Sequence, residues 1–254
     1  MSLINSTAIP SGATGYEIDQ SLRCNGADSP YLSKTFSSAG NQRTFTWSAW
    51  WKHGDMNQSM SFISAADDNF GWQYDSGEAR GLRYEHSADG AVGSNAFLRD
   101  PSGWYHIMWV VNTTDTSPAS NMKKMYVNGV RVDDTGGSYG DTNRQQSINS
   151  GTVQYIGANT TPSSNLDGYL AEVQFIDGQA LTPSSFGETG DYGEWKPLAY
   201  AGSYGTNGYY LDFADSSAFG NDVSGNNNDW TVHNFVATDQ MLDSPTNNFC
   251  TFTP

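Results

Sequence analysis

The sequence predicts an all-β protein, specifically a two-sheet antiparallel jelly-roll sandwich, and three observations lead to that prediction. The 254 residues include 27 Gly, and 13% of them are aromatic, which is typical of many short strands joined by turns. No stretch keeps apolar residues at the i, i+3, i+4 and i+7 spacing of an amphipathic helix. Residues 44–51 instead alternate in the two-residue period of a strand. One main domain is expected, because single all-β sandwiches reach this length.

The clearest strand is Thr44–Trp51. Phe45, Trp47, Ala49 and Trp51 fall on one face of it, because successive side chains of a strand point to opposite sides. Three large apolar residues on one face predict a sheet that packs over a core.

Turn residues separate the other candidate strands. These are Ser21–Cys24, Pro30–Thr35, Ser59–Ala65, Phe70–Tyr74, Gly81–His86, Gly103–Asn112, Val153–Ile156, Gly168–Ile176, Tyr209–Phe213 and Asp229–Val232. Asn128-Gly129, between two apolar runs, is the strongest hairpin signal, because Asn-Gly tolerates the positive φ angles of a type I′ turn. The segment from Asp177 to Asn207 carries Gly and Pro, and we expect it to wrap an edge of the sandwich.

The chain divides into an extended arm (residues 1–15), a sandwich (16–238) and a tail (239–254). Neither terminal segment has a strand-like period, so we expect each to become ordered against another chain. The first thirteen residues have no basic region followed by an apolar run, so no secretory signal is expected. No stretch has the apolar length that a membrane span needs.

The formal net charge is −15, from 12 Lys and Arg against 27 Asp and Glu. An acidic surface without a basic stripe repels phosphate backbones, so nucleic acid is not an expected partner.

The two cysteines, Cys24 and Cys250, make neither a disulfide framework nor a zinc site. We interpret them as a buried thiol and a tail thiol.

Three ordered motifs resemble the laminin-G-like members of the concanavalin A superfamily. They are Gly103-Trp104-Tyr105-His106, the hairpin KMYVNGVRV at Lys124–Val132, and the strand LDGYLAEVQF at Leu166–Phe175. The resemblance covers residues 16–181. It implies a jelly-roll sandwich in a superfamily that contains both lectins and glucanases, and it implies that rim loops of such a fold bind Ca²⁺ in some members.

A narrower resemblance extends over nearly the whole chain. The phrases GYEIDQSLRCN, RTFTWSAWWK, DGYLAEVQFIDGQALTPSSFGE, WKPLAY, YGTNGYYLDF and SGNNNDWTV are similar, in the same order, to a family of virion proteins of tailed phages, especially marine ones. The chain departs from that family at Cys24, where an aromatic residue is expected. This resemblance implies a capsid decoration, head-fibre or tail-fibre component.

Catalysis by a retaining glycosidase needs two carboxylates about 5–5.5 Å apart. The glucanase signature E-x-D-x-x-E is met only in its first half, Glu17-Ile18-Asp19, because the sixth position is Leu22. Glu172 and Asp177 are five residues apart and would face opposite sides of a regular strand. The sequence therefore predicts no catalytic pair and no enzyme.

Calcium is the one cofactor that the sequence indicates. Asp222, Ser224, Asn226 and Asp229 repeat the oxygen spacing of a calcium loop, although the last position of that loop is His233 instead of Glu. The same Asp and Asn residues are also typical of turns in which side chains accept backbone N–H groups. Both interpretations stay open.

Sugar binding needs an aromatic platform beside groups that hold hydroxyls. Trp72 and Tyr74 beside Asp67-Asp68-Asn69 are the best such grouping, and Trp50 points away from the apolar face of its strand. The alternative is that these tryptophans fill the core, as most do in a sandwich.

Two functions remain from this reasoning. The first is a non-enzymatic virion protein of a tailed phage, present as a homo-oligomer or in several copies, that contacts other virion proteins and a host-surface glycan. Such a protein assembles in the host cytoplasm and needs no export signal. The second is a carbohydrate-binding lectin module of a cellular protein. Neither function involves nucleic acid or a membrane.

Overall fold

The computed structural model describes residues 15–75, 78–94, 96, 98–133 and 137–248, with the backbone alone at residues 75 and 78–80. Within these residues the chain forms seventeen strands and four 3-10 helices. The strands are β1 (Ser21–Cys24), β2 (Tyr31–Thr35), β3 (Thr44–His53), β4 (Met60–Ala65), β5 (Asp68–Asp75), β6 (Glu78–His86), β7 (Gly90–Gly93), β8 (Trp104–Asn112), β9 (Lys123–Val127), β10 (Val130–Arg131), β11 (Val153–Ile156), β12 (Gly168–Asp177), β13 (Gly187–Thr189), β14 (Trp195–Pro197), β15 (Tyr209–Leu211), β16 (Thr231–His233) and β17 (Gln240–Met241). The 3-10 helices are Gly26–Asp28, Ala119–Asn121, Pro183–Ser185 and Ala237–Asp239.

Two large sheets form the sandwich. Sheet A has eight strands in the order β10-β9-β8-β3-β12-β1-β17, with β15 also paired to β12. Sheet B has seven strands in the order β16-β2-β11-β4-β5-β6-β7, while β13 and β14 form a separate hairpin. Neighbouring strands of both sheets run antiparallel. The all-β, two-sheet prediction is confirmed.

The core lies between the two sheets and is rich in aromatic rings. Phe45, Trp47, Ala49 and Trp51 of β3 all point into it and are fully buried, which confirms the face assigned from their alternation. Rings from sheet B meet them; Phe62, for example, lies 4.8 Å from Trp51, centroid to centroid. The buried free thiol of Cys24 belongs to the same core, whereas Cys250 lies outside the described residues.

The predicted hairpin turn is present at Asn128-Gly129. Val127 pairs with Val130 across it, and both central residues have positive φ angles, +46° at Asn128 and +80° at Gly129. Positive φ at both positions is what a type I′ turn requires, so the prediction from Asn-Gly is confirmed.

The outer face of sheet A is covered by other parts of the chain. Near β3, Trp50 packs with Ile18, Trp104 and Ala171. Further along, Phe186, Leu181, Tyr200 and Tyr204 pack on Met108, Val110 and Ile176. The segment between Asp177 and Asn207 therefore lies over a sheet face, and the prediction that it wraps an edge is wrong. Apolar residues on the outward side of β8 and β12 explain this placement, because they need a cover.

The predicted boundary at residue 239 also falls inside the ordered sandwich. Residues 240 and 241 form β17, which pairs with β1 along Ser21 and Leu22. Beyond β17, the Thr246 hydroxyl accepts a hydrogen bond from the Ile18 amide at 2.9 Å. Residues 239–248 are thus ordered against their own chain, while 1–14 and 249–254 lie outside the described residues.

Candidate functional site

The outer face of sheet B is partly open, in contrast to that of sheet A: Glu85 and Ala91 are partly exposed, whereas Ser64 is buried and donates a hydrogen bond to the Ala158 carbonyl. One row of residues crosses all seven strands in register. In strand order from β16 to β7 it consists of Thr231, Ser33, Tyr155, Ser64, Asn69, Glu85 and Ala91. The row points outward because the residues that alternate with it, such as Phe70 and Tyr84, point into the core.

A groove runs along this face beside β4, β5 and β6. It consists of two adjoining cavities of about 460 and 210 Å³. Asn69, Arg83, Glu85 and Asn159 line both cavities, so the two form one continuous concave surface. We call this surface the sheet B groove. Its walls are the outward side chains of β5 and β6 and the loop that follows β11.

The groove is polar, and one cation sits in its middle. Arg83 pairs with Glu85 at 2.6 Å and donates a 2.5 Å hydrogen bond to the Gln73 side chain. Gly71 lies directly opposite Arg83 on β5, and a Cβ there would overlap the Met60 carbonyl, so the glycine lets β4 approach closely. Glu85 and Gln73 hold the guanidinium at the groove.

Several polar atoms along the groove have no hydrogen-bond partner within the described part of the chain. They are the Oγ of Ser61, the Oδ1 of Asn69 and the Nε of Arg83. Ser61 is fully buried and lines the smaller cavity. Buried polar groups are normally paired, and solvent does not reach these three atoms, so they lie behind the surface of the groove.

The structure separates the residues predicted for a sugar site. Trp72 is 2% exposed and Trp50 is 5% exposed, so neither offers a ring face to a ligand. Trp72 packs in the core against Trp51, with 5.7 Å between the centroids of the tilted rings, and Trp50 lies under the covering layer of sheet A. Their assignment to an aromatic platform is wrong, because Trp72 lies on the core-facing side of β5 and Trp50 lies beneath residues that cover sheet A.

The polar part of that predicted grouping falls beside the groove. Asn69 and Asp67 line it, and Asp67 accepts a 2.6 Å hydrogen bond from the Ser87 hydroxyl. Asp68 points inward, where it accepts hydrogen bonds from the Tyr84 hydroxyl and the Ile148 amide. Tyr74 is half-buried, and its amide donates to the Ser59 hydroxyl at 3.0 Å. Of the six predicted residues, Asn69 and Asp67 are therefore positioned to meet a ligand.

Sequence reasoning missed Arg83, Glu85 and Gln73. The signal was present in the alternation of β6, where Leu82 and Tyr84 face the core and leave Arg83 and Glu85 outward. Aromatic side chains also occur on this face: Tyr31 stacks on His233 with 4.2 Å between centroids, and Tyr155 lies 5.9 Å from Tyr31.

The loop predicted to bind calcium uses its oxygens internally. Both carboxylate oxygens of Asp222 accept hydrogen bonds: Oδ1 from the amides of Tyr210 and Ser224, and Oδ2 from the Ser224 hydroxyl and the Asn228 amide. Asp229 accepts a hydrogen bond from the Asp222 amide at 2.9 Å.

Asn226 points its amide nitrogen at the carbonyls of Gly205 and Gly208. The residues therefore do not fit a calcium ion, and the turn interpretation is the one that their hydrogen bonds support.

Over the described ranges, no three His, Cys, Asp or Glu side chains come together as a metal site would need. None of the described helices is long and apolar enough to cross a bilayer.

Comparison with known families matches residues 25–186 to a laminin-G-type family model described as the concanavalin A-like lectin/glucanases superfamily. The chain belongs to the concanavalin A-like lectin/glucanases superfamily. The laminin-G-like resemblance of its three motifs is thereby confirmed. A search of the curated proteins found no match.

Among solved structures, this superfamily member is similar to a heptameric SAP-like pentraxin from Limulus polyphemus, with 18% identity and a TM-score of 0.49 over 66% of this chain and 80% of that one. It is also similar to domains LG4-5 of the mouse laminin alpha1 chain, with 11% identity and a TM-score of 0.43 over 64% of this chain and 44% of that one. A third similar structure is the CBM40 of a Ruminococcus gnavus IT-sialidase, with 11% identity and a TM-score of 0.40 over 60% of this chain and 92% of that one. The chain thus spans less than half of the laminin structure.

The carboxylates of this chain that were considered for glucanase chemistry lie in different surroundings. The Glu17-Ile18-Asp19 segment precedes β1 and is not itself a strand, and Glu17 and Asp19 are exposed on either side of the buried Ile18. Glu172 lies on the covered face of sheet A, where burial raises its pKa to about 7. Its carboxyl accepts hydrogen bonds from the hydroxyls of Tyr16 and Tyr210.

Asp177 contacts a different set of residues from those around Glu172. Its carboxylate accepts hydrogen bonds from the amides of Asn41 and Asn207 and from the side chain of Asn149. Glu172 and Asp177 share none of these partners, so they do not act as a pair. A β-bulge between Ala171 and Gln174, with φ of +53° at Glu172, sets the direction of the Glu172 side chain.

Proposed function

We propose that this chain is a non-catalytic carbohydrate-binding module that takes a glycan into the sheet B groove. The observation that carries the proposal is one open groove lined by polar side chains, with Asn69, Arg83, Glu85 and Asn159 shared by its two cavities. Sugar hydroxyls both donate and accept hydrogen bonds, so one sugar ring can donate to an amide oxygen and accept from a guanidinium.

Several features favour binding over hydrolysis. The carboxylates beside the groove are already engaged: Glu85 with Arg83, and Asp67 with Ser87. The carboxyl with a pKa near neutrality, Glu172, lies on the opposite and covered side of the sandwich. Glycoside hydrolysis needs an acid and a second carboxylate flanking the same bond. We therefore expect no release of reducing ends from laminarin, agar, alginate or cell-wall glycans above a heat-killed control.

A glycan array tests the proposal, with three proteins compared. Wild type is expected to retain a defined set of glycans, and the Asn69→Ala, Glu85→Ala double variant is expected to lose them. Thr35→Ala, an exposed position on the far side of the same face, serves as the matched control and should bind as wild type does. Retention of every glycan by the double variant would contradict the proposal.

We also propose that the module is carried by a phage particle and displays the groove outward. The phage-like sequence phrases support this setting, and so does the position of the first and last described segments. Ile18 accepts a hydrogen bond from the Thr246 hydroxyl at 2.9 Å, and Lys52 pairs with Asp243 at 2.7 Å. Both segments thus lie on the sheet A side, opposite the groove, so attachment on that side would leave the groove free.

Purified, washed particles test the virion setting. The protein should be found on them in several copies by electron microscopy, contacting other virion proteins. Hydrogen exchange in residues 1–14 and 249–254 should be slower on the particle than in the free protein. Absence from washed particles, or equal exchange in both states, would favour the alternative, a lectin module of a cellular protein.

A further inference from the structure

A buried ionic cluster joins the two sheets at the end of the sandwich near the β6–β7 turn. Lys123, the first residue of β9 in sheet A, reaches Asp89 in that turn of sheet B. The Nζ of Lys123 lies 2.7 Å from the Oδ2 of Asp89, and both side chains are 1% exposed. An ion pair so fully removed from water keeps little of the hydration that normally stabilises its charges.

We propose that Lys123 and Asp89 condense to an intramolecular isopeptide bond, an amide between Nζ and Cγ that joins sheet A to sheet B. The pair is already in contact, and contact of this kind replaces a bimolecular reaction by one of very high effective concentration. An amide also removes two opposite charges from the protein interior. The cross-link is a modification of the chain by its own residues and needs no other reactant.

The atoms of this step balance. The Lys123 ammonium passes one proton to Oδ2 of Asp89, which leaves a neutral amine beside a neutral carboxylic acid. The amine lone pair attacks Cγ and the C–N bond forms. The Cγ–Oδ2 bond then breaks, and the departing oxygen takes a second proton from Nζ and leaves as water. Nζ keeps its third proton as the amide hydrogen.

The residues around the pair support each part of this step. Arg144 forms an ion pair with the other oxygen of Asp89, Oδ1, where a cation stabilises the negative charge that develops during attack. The Lys123 Nζ lies 4.3 Å from the centre of the Tyr84 ring. Burial lowers the pKa of Lys123, which favours the neutral, nucleophilic amine.

A second acid and a histidine lie next to the pair. Burial raises the pKa of Asp68, and nearby Lys123 is among the charges that oppose this. His86 lies between the two acids, with Nε2 at 4.0 Å from Asp68 and Nδ1 at 3.9 Å from Asp89. Gly140 closes the pocket over the carboxyl, because a Cβ at that position would overlap Asp89.

Intact-mass spectrometry of the full chain under denaturing conditions tests the proposal. After incubation at neutral pH, wild type is expected to be lighter than its sequence by one water. Trypsin should release a branched peptide in which Lys123 is joined to Asp89, with cleavage after Lys124 but not after Lys123. Lys123→Arg should have its full sequence mass, because a guanidinium stays protonated.

Lys124→Arg is the matched control. It is the neighbouring residue, with an ion pair to Asp115 at 3.9 Å, and this variant should still lose one water. Wild type at its full sequence mass would overturn the proposal. A lost water that maps to another residue, such as a cyclised aspartate, would overturn it equally. Neither result depends on whether a variant folds.

Discussion

The hydroxyl of Tyr16 donates a 2.8 Å hydrogen bond to the carboxyl of Glu172. Tyr16 lies at the start of the described chain and Glu172 at the bulge of β12. The bond therefore fixes the first described residues on sheet A. The Tyr210 hydroxyl donates to the other oxygen of the same carboxyl. Glu172 is thus enclosed by two phenols, and its burial has a consequence for stability.

Stability should depend on pH through Glu172. Burial raises its pKa from the ordinary value of 4.5 to about 7, so the folded state holds a proton that the unfolded state releases. The resulting stabilisation is full below pH 4.5 and is lost as the pH rises through 7. At about 1.4 kcal/mol per pKa unit, it is on the order of 3 kcal/mol.

The variant Glu172→Gln isolates this effect. Its free energy of unfolding, measured by denaturant titration between pH 4.5 and 8, should lack the alkaline decrease seen in wild type. His53 and His106, whose pKa values burial lowers to about 4 and about 3, titrate in both proteins and cancel in the difference. Parallel pH profiles for the two proteins would contradict the account of Glu172.

The turn at Gly129 should not tolerate a β-branched residue. Gly129→Val places a side chain at a φ of +80° and against the Trp195 ring, which a Cβ would meet at 2.5 Å. We expect a loss of about 1–3 kcal/mol from backbone strain alone, and more from the overlap. Gly193→Ala is the control, since φ there is +86° and nothing lies within 4 Å of the added Cβ.

Thermal unfolding measures both glycine variants. Gly193→Ala should introduce backbone strain without a steric clash, so its Tm should decrease less than that of Gly129→Val. An unchanged Tm for Gly129→Val would show that the hairpin adopts another turn.

Asp222 should stabilise the fold without calcium. Asp222→Ala removes the acceptor for three backbone amides and one hydroxyl, and we expect a loss of about 2 kcal/mol. Asp215→Ala, which removes a similar but exposed acceptor of Ser217, should cost less. Calcium or a chelator should change the Tm of neither wild type nor the variants. A rise of the wild-type Tm with added calcium would restore the calcium interpretation.

The strands could be predicted because alternation and turn residues are local signals. β1 and β11 have the predicted bounds, and the faces of β3 are as predicted. The turn before β5 was misplaced: Asp68 and Asn69 are strand residues, because Asp68 finds buried partners in Tyr84 and Ile148. Those partners are distant in sequence, so no local pattern could reveal them.

The site was harder to predict than the fold. Whether Trp50 is exposed depends on the cover that residues 16–18 and 181–204 place over sheet A. Arg83 and Glu85 line a concave surface only because Asn159 and the neighbouring strands pack around them. Both features arise from packing between distant segments. Residue type and spacing alone therefore predicted two of the residues that line the groove, Asp67 and Asn69.

The location of a bound glycan tests the central claim most directly. Amide chemical shifts of isotope-labelled protein would be followed by NMR while a glycan selected on the array is added. We expect the perturbed amides to include Ser61, Asn69, Arg83, Glu85 and Asn159, with those of β1 and β3 unchanged. Perturbations confined to the sheet A side or to the loop at residues 222–229 would contradict the assignment of the sheet B groove.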